Sequence, residues 1–304
     1  MKFRAHETFF IRKGWLNKGL KNVNANPNVF MGLDKCGNKI NPMDVLGIGA
    51  NMVKSLRYWM QAAGLTEEKL AVRKIQELTP LGKVIYKNDP YIEETGTLCL
   101  LHHKLCTNKD LATAWYFLFN EFSVQSFTRD DFVSALDGYA QMNAEVVSHR
   151  SLEDDFNCIV GTYVSREERS GNARVSPENS IDCPFGDLGL IEPYSKKARV
   201  YSYRKRSISK ADLHPVIALA VILEHANGNE EIPIGALLNE PCSLGRVFNL
   251  DTIALSSVLS DLDALGYLKI IRTAGLDIVR ITNSLTYEKC VSKYYNLINR
   301  GSLA

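Results

Sequence analysis

The sequence has no Cys-x-x-Cys pair and no cysteine–histidine run at finger spacing, although its 304 residues include seven cysteines. An odd set of scattered thiols (Cys36, Cys99, Cys106, Cys158, Cys183, Cys242, Cys290) points to small buried side chains in a reducing compartment. It argues against a disulfide framework or a zinc module. Long apolar runs are missing too. The longest, Pro215 to Leu223, falls far short of the ~20 residues that span a bilayer, and the opening MKFRAHETFF is too charged for a signal peptide. These absences predict a cytoplasmic protein with no membrane partner. Bulk charge is also lacking: 36 basic and 34 acidic residues leave a net +2, so any nucleic-acid surface must be a local patch. No phosphate loop, Rossmann glycine fingerprint, zincin motif or nucleophile elbow occurs, so no nucleotide or organic cofactor is indicated.

What is present is an ordinary globular composition, 45% apolar and 23% charged, in a chain long enough for two or three modules. The pattern predicts a mainly α fold with small β wings: winged-helix units at the N- and C-terminal ends flanking a helical middle. Residues 1–88 form the first unit, ending at the turn-rich Lys87-Asn88-Asp89-Pro90. Residues 89–182 form the helical middle and 183–304 the last unit. In the middle, Leu98, Leu101 and Leu105 mark one helix face, followed by an aromatic-rich stretch from Leu111 to Phe122. Thr128 with Asp131 reads as a capping box, and Ser151 with Asp154 repeats it before a helix that turns Phe156, Ile159, Val160 and Tyr163 inward. The polar stretch from Ser165 to Asp182 reads as a mobile loop or linker, and Ala198 to Lys205 as a strand or hairpin arm.

The strongest DNA-binding pattern runs from Asp44 to Leu65. Gly47 and Gly49 make a tight turn, and a helix from about Asn51 to Ala63 is stopped by Gly64. At 100° per residue, Met52, Leu56, Trp59, Met60 and Ala63 share one face. Asn51, Lys54, Arg57, Tyr58 and Gln61 share the other, a mix of cations, amides and a phenol suited to the major groove of double-stranded DNA. Lys54 and Arg57 are the first choices for phosphate or guanine, and Arg12 is a further candidate contact. A segment ending Leu78-Thr-Pro-Leu-Gly82 stands where a wing would follow. The plainer alternative is an amphipathic helix with a solvated face.

A second such pattern occupies about Asp212 to Asn283. Helices are expected over 213–224 and 232–238, and then over 252–265 with Leu255, Val258, Leu259, Leu262 and Leu265 inward. Two strands within 266–281 follow as a wing. Here Ser256, Ser257, Ser260, Asp261 and Asp263 bring hydroxyls and negative charge outward, and that charge would repel phosphate. This predicts a protein-contact or scaffold unit, touching DNA at most through Arg246 or Arg272.

Candidate chemistry is sparse. His6-Glu7-Thr8 beside Arg12 and Trp15 is either a metal or acid–base cluster, or a polar knot tying down the N-terminal segment. Positions 94, 98 and 102 share a helix face, so Glu94 and His102 could approach a common ion, although Glu93 and Glu94 also suit a helix N-terminus. Glu153, Asp154 and Asp155 have the same two explanations, helix dipole or magnesium carboxylates. Glu67-Glu68-Lys69 near Asp44 has the acidic/Lys pattern of restriction nucleases, but a helix fills the gap where that chemistry needs a strand hairpin.

Several segments together carry a resemblance. They are His6–Phe9, Gly14–Leu16, Leu46–Val53 with Arg57-Tyr58-Trp59, Asp89–Glu94 with Thr97-Leu98, and Leu100–His102. Trp115, Phe119-Asn120, Phe127-Thr128, Ser243–Phe248 and Tyr294-Tyr295 complete the set. Nearly end to end, the chain resembles a bacterial family of unknown function that includes the DNA-nicking subunit of the single-strand DNA phosphorothioation (Ssp) antiphage system. The resemblance implies an endonuclease that nicks DNA so that sulfur can enter the backbone, with a divalent metal, Mg or Mn, activating water. It carries His6, Glu7, Glu93, Glu94 and His102 as catalytic candidates, and Glu7, Glu93 and Glu94 as metal candidates. Double-stranded DNA, a cysteine desulfurase with other phosphorothioation proteins, and a second copy of the chain are the implied partners. The chain departs from the family at Cys99 and His103, where aromatics are usual. Two other functions remain open: a non-enzymatic DNA binder or transcription regulator, and an adaptor recruiting sulfur-transfer enzymes to DNA.

Overall fold

Short helices with defined stops make up the first third of the chain. The computed structural model describes residues 1–69, 75–165, 183–197, 200–273 and 276–301. Helix α1 (Trp15–Ala25) buries Trp15, Leu16, Leu20 and Val23, spaced as one helical face. Helix α2 (Pro42–Leu46) starts where the Asn41 side chain accepts from Met43 N and stops at Gly47, left-handed at φ 60. Helix α3 (Ala50–Ala62) follows. It crosses α1 at Gly19, where a Cβ would sit 2.4 Å from Met60 Sδ, so the glycine gives the Met60 side chain the room it fills. Strands β1 (Thr66–Lys69) and β2 (Ile75–Leu78) then form an antiparallel hairpin with Thr66 opposite Leu78. Thr79 caps helix α4 (Pro80–Asn88) and also donates to Gly64 O, fastening α4 to the end of α3.

The middle is built around helix α5 (Thr95–Thr107), buried through most of its length. Helix α6 (Thr113–Tyr116) runs into a π turn over Phe117–Glu121. There Phe122 N reaches back to Phe117 O at 2.9 Å, leaving Leu118 O out of the ladder. The buried ammonium of Lys205 takes that carbonyl (2.6 Å) together with Phe122 O. Burial, aided by Arg246, lowers the Lys205 pKa to about 7. Strand β3 (Ser126–Thr128) leads into helix α7 (Arg129–Met142), where the Thr128–Asp131 capping box forms as expected. Helix α8 (His149–Tyr163) does not start at the expected Ser151. Its N-cap is Ser148, whose side chain accepts from Ser151 N, so the helix begins three residues earlier, most of a turn. Phe156, Ile159, Val160 and Tyr163 do point inward. The expected linker over 165–182 lies, apart from its first residue, outside the described residues.

Strands β4 (Ile191–Lys197) and β5 (Val200–Lys205) pair antiparallel, and β3 joins them in the order β3-β5-β4, uniting chain segments on both sides of position 183. Then come helix α9 (Pro215–Ala226), strand β6 (Glu231–Pro233), and helices α10 (Ile234–Asn239), α11 (Leu244–Val247) and α12 (Thr252–Ala264). Strands β7 (Leu268–Thr273) and β8 (Leu276–Ile281) complete a sheet ordered β6-β8-β7. Leu265, expected in the core, is exposed because α12 ends one residue before it and Gly266 (φ 75) turns the chain away. Helix α13 (Tyr287–Gly301) packs on both α9 and α4, bridging the two ends of the chain. Tyr294 OH accepts from Gly96 N (3.2 Å) and Tyr295 OH meets Thr97 Oγ1 (2.6 Å). A Cβ at Gly96 would fall 2.3 Å from the Tyr294 ring.

The outcome is a mostly helical protein with small antiparallel sheets and one continuous apolar core from Ile11 to Tyr295. No helix among the described residues is long and apolar enough to cross a membrane.

Candidate nucleic-acid interface

On α3 the expected outward face divides in three. Asn51 and Lys54 are exposed, and Lys54 Nζ lies 4.0 Å from Glu7 and 3.3 Å from Asn51 Oδ1. Arg57 and Gln61 are half-buried and tethered. Arg57 donates through Nε (2.8 Å) and Nη2 (2.5 Å) to Glu68 Oε1 on β1, and Gln61 Nε2 donates to the same oxygen at 3.1 Å. Tyr58 is buried at 9% exposure, which corrects its placement on a groove-facing surface. The N-terminal segment lies across that side of the helix: Trp59 Nε1 donates to Phe9 O (2.9 Å), and the His6 ring stands 6.4 Å from the Tyr58 ring. Arg12 lies over the Trp15 ring at 5.5 Å.

His6 is fully buried against Trp59 and Trp115. Thr8 N–H donates to Nδ1 (3.1 Å), so the ring proton is on Nε2, which donates to Asp155 Oδ1 at 2.7 Å. Arg4 N also donates to that oxygen (2.9 Å). Burial raises the Asp155 pKa and the His6 bond opposes it. Glu7 and Thr8 are held left-handed, at φ 51 and 67, a strained conformation that the knot maintains. Of the acidic trio on α8, Asp155 serves His6, Asp154 meets Arg4 (2.9 Å), and Glu153 meets Arg129 (3.4 Å). Arg4 bridges Asp154 and Asp155 while Glu153 turns to Arg129, and the three do not gather as one magnesium set.

The remaining candidates are also dispersed. His102 is fully buried, its Nδ1 accepting from Tyr163 OH (2.8 Å) and its Nε2 donating to Val247 O (2.7 Å). Burial holds its pKa down to about 4, so it is neutral, with no free nitrogen for an ion. Glu94 lies beside Tyr294 OH (3.4 Å), and Glu93 is exposed. Helix spacing alone places Glu94 and His102 on one face, but their bonds run to different neighbours. The backbone N–H groups of Glu93 and Glu94 both donate to the buried Asp89 carboxylate (3.0 and 3.1 Å), which orders the turn before α5. Among the described residues no three His, Cys, Asp or Glu side chains cluster as metal ligands. Glu7, Glu93 and Glu94 as placed here do not fit an ion.

The family model described as "Protein of unknown function (DUF4007)" matches residues 3–295. The chain belongs to this family. No curated protein matches it. Solved structures do, two of SspB among them. "SspB crystal structure" superimposes with a TM-score of 0.80 at 25% identity, covering 99% of this chain and 88% of that one. "Magnesium ion-bound SspB crystal structure" gives 0.79 at 25% identity, covering 99% of this chain and 96% of that one. Several DUF4007 segments quoted above carry tertiary contacts here: Asp89 and Thr97, Asn120 with Cys242 N (2.6 Å), and Tyr294-Tyr295. Sequence reasoning missed Asp155 as the partner of His6 and Glu68 as the clamp on Arg57. It had no local signal for the first, 149 positions away. For the second, the Arg57–Glu68 charge pair across an expected helix–wing junction was available.

Proposed function

We propose that this chain is a DNA-binding component of a phosphorothioation-type DNA modification and antiphage system, and that it nicks a DNA strand so that sulfur can enter the backbone. The observation carrying this reading is the likeness to SspB over 99% of the chain. On this reading the unit formed by α1, α2, α3 and the β1–β2 hairpin is a winged helix within residues 1–88. A second lies within 183–304, and residues 89–182 form the helical body between them. Asn51 and Lys54 meet the phosphates directly, Arg57 and Gln61 join them when Glu68 is displaced, and Arg12 contributes from the rim. Double-stranded DNA is the substrate, a cysteine desulfurase and a second copy of the chain are partners, and the location is cytoplasmic.

Since Glu7, Glu93 and Glu94 do not converge, no metal-dependent step is assigned to them. Metal enters as a variable of the experiment. Purified protein is incubated with supercoiled plasmid in magnesium, manganese or EDTA, and open circles are read on a gel. Metal-dependent open circles support a nickase, and their loss in Glu7→Gln or Glu93→Gln would overturn the reading that these carboxylates hold no ion. Plasmid that is shifted but never nicked favours the second reading, an adaptor that brings sulfur-transfer enzymes to DNA. The Ser256, Ser257, Ser260 side of α12 speaks for that reading, because it offers hydroxyls where a groove-binding helix carries cations.

A further inference from the structure

The segment from 191 to 210 holds seven of the chain's 36 Lys and Arg residues and a single acidic one, in a protein of net charge +2. Of its three tyrosines, Tyr194 and Tyr201 each carry a cation over the ring, while Tyr203 and Lys205 are buried. The described residues of the segment form the paired strands β4 and β5 and the turn that follows them. Tyr194 is 55% exposed, at the register shift between Pro193 and Ser195, and the Arg204 guanidinium stacks over its ring at 4.9 Å. Lys196 lies over Tyr201 at 4.6 Å. Glu192 takes Arg204 through Nε (2.9 Å) and Arg206 through Nη1 (2.8 Å), and the two guanidiniums hold its pKa down. The carboxylate stays ionised and sets two guanidiniums side by side, each with N–H donors to spare. A recess of about 290 Å³ beside the hairpin is lined by Thr128, Arg129, Asp130, Asn157, Tyr201 and Tyr203 among others, so it carries one cation and one carboxylate.

We propose that the β4–β5 hairpin is a second nucleic-acid surface, with Lys196, Arg204 and Arg206 on backbone phosphates and Tyr194 against a sugar or base. The inference rests on the DNA reading above and adds a surface to it. Two observations select this occupant. Exposed cations set beside aromatic rings match a phosphate backbone with its stacked bases. Protection of a sheet edge explains Pro193 and Lys196 on the edge strand β4. It does not explain Arg204, which is on the central strand β5, paired on both sides.

The test is duplex binding by the full chain at several salt concentrations. Wild type is compared with the triple variant Lys196→Ala, Arg204→Ala, Arg206→Ala and with the charge-conserving Arg204→Lys, Arg206→Lys. The triple variant is expected to lower the slope of log K against log salt by about 2–3 and to bind at least about tenfold more weakly at low salt. The lysine pair is expected to keep the slope. If wild type binds and the triple variant, folded to the same melting temperature, keeps both affinity and slope, the hairpin surface is wrong while the DNA reading stands. If wild type binds no nucleic acid, the DNA reading itself fails. Binding to phosphatidylserine vesicles that the triple variant loses, with duplex binding unchanged, would reassign the hairpin to a membrane surface and overturn the proposal.

Discussion

The unit of α1, α2, α3 and β1–β2 and the unit of α9, β6, α10, α12 and β7–β8 place a helix and then a hairpin in the same order, yet they turn different chemistry outward. The α3 surface offers Asn51, Lys54, Arg57 and Gln61, whereas α12 offers Ser256, Ser257, Ser260, Asp261 and Asp263. In both, the first hairpin strand clips a side chain of opposite charge onto the helix: Glu68 onto Arg57, and Lys269 onto Asp263 at 3.1 Å. The charge a helical wheel shows is therefore not the charge a partner meets. Lys54 on α3 is 63% exposed with a long 4.0 Å contact to Glu7, while Asp261 and Asp263 on α12 are met by lysines at 2.8 and 3.1 Å. The two units also share an anchor. Helix α8 holds the N-terminal segment through Asp155–His6 and holds α11 through Tyr163–His102.

The largest expected effects test that shared anchor. His6→Ala removes the partner of a buried carboxylate and is expected to cost about 3–5 kcal/mol in urea unfolding. A loss under about 1 kcal/mol would mean that the knot does not hold the N-terminal segment. His102→Ala leaves Tyr163 OH and Val247 O unpaired and is expected to cost about 2–3 kcal/mol. His102 adds a pH signature. Its folded pKa is about 4 against 6.5 for a free imidazole, so the unfolded chain binds more protons between these values. Stability is accordingly lost as pH falls from about 6.5 toward 4, by up to about 3 kcal/mol, and His102→Ala should flatten that fall.

Smaller effects separate the two helices. Lys54→Ala is expected to reduce the salt slope of DNA binding by about 1, whereas Asp261→Ala with Asp263→Ala should leave it unchanged. A reversed result would make α12 the DNA-facing helix. The smallest change is expected from Glu68→Gln, which releases Arg57 and Gln61. It should tighten DNA binding by a few-fold, worth less than about 1 kcal/mol, since surface ion pairs are weak. Weaker binding would show that the clamp positions Arg57 for DNA.

What was legible in the sequence was local. The Thr128–Asp131 box, the stop of α3 at Gly64 and the inward row on α8 each follow from side chains a few positions apart. Where two serines competed to cap α8, the three-residue spacing fitted both, and only the observed Ser148 bond decides. The errors at the candidate site were non-local. Tyr58 looked outward because the wheel of α3 cannot show that residues 4–9 fold over it. His102 looked like a ligand because its second acceptor, Val247 O, is 145 positions away.

The contact between Gly96 and Tyr294 sets an order of events during synthesis. The two residues are 198 positions apart, and the glycine exists to admit that ring. At translation speeds of ≈ 5–20 residues per second, the site around Gly96 waits about 10–40 s for its last piece. In that interval the Gly96 N–H and the Thr97 hydroxyl lack their tyrosine partners, and the start of α5 is completed only when α13 arrives.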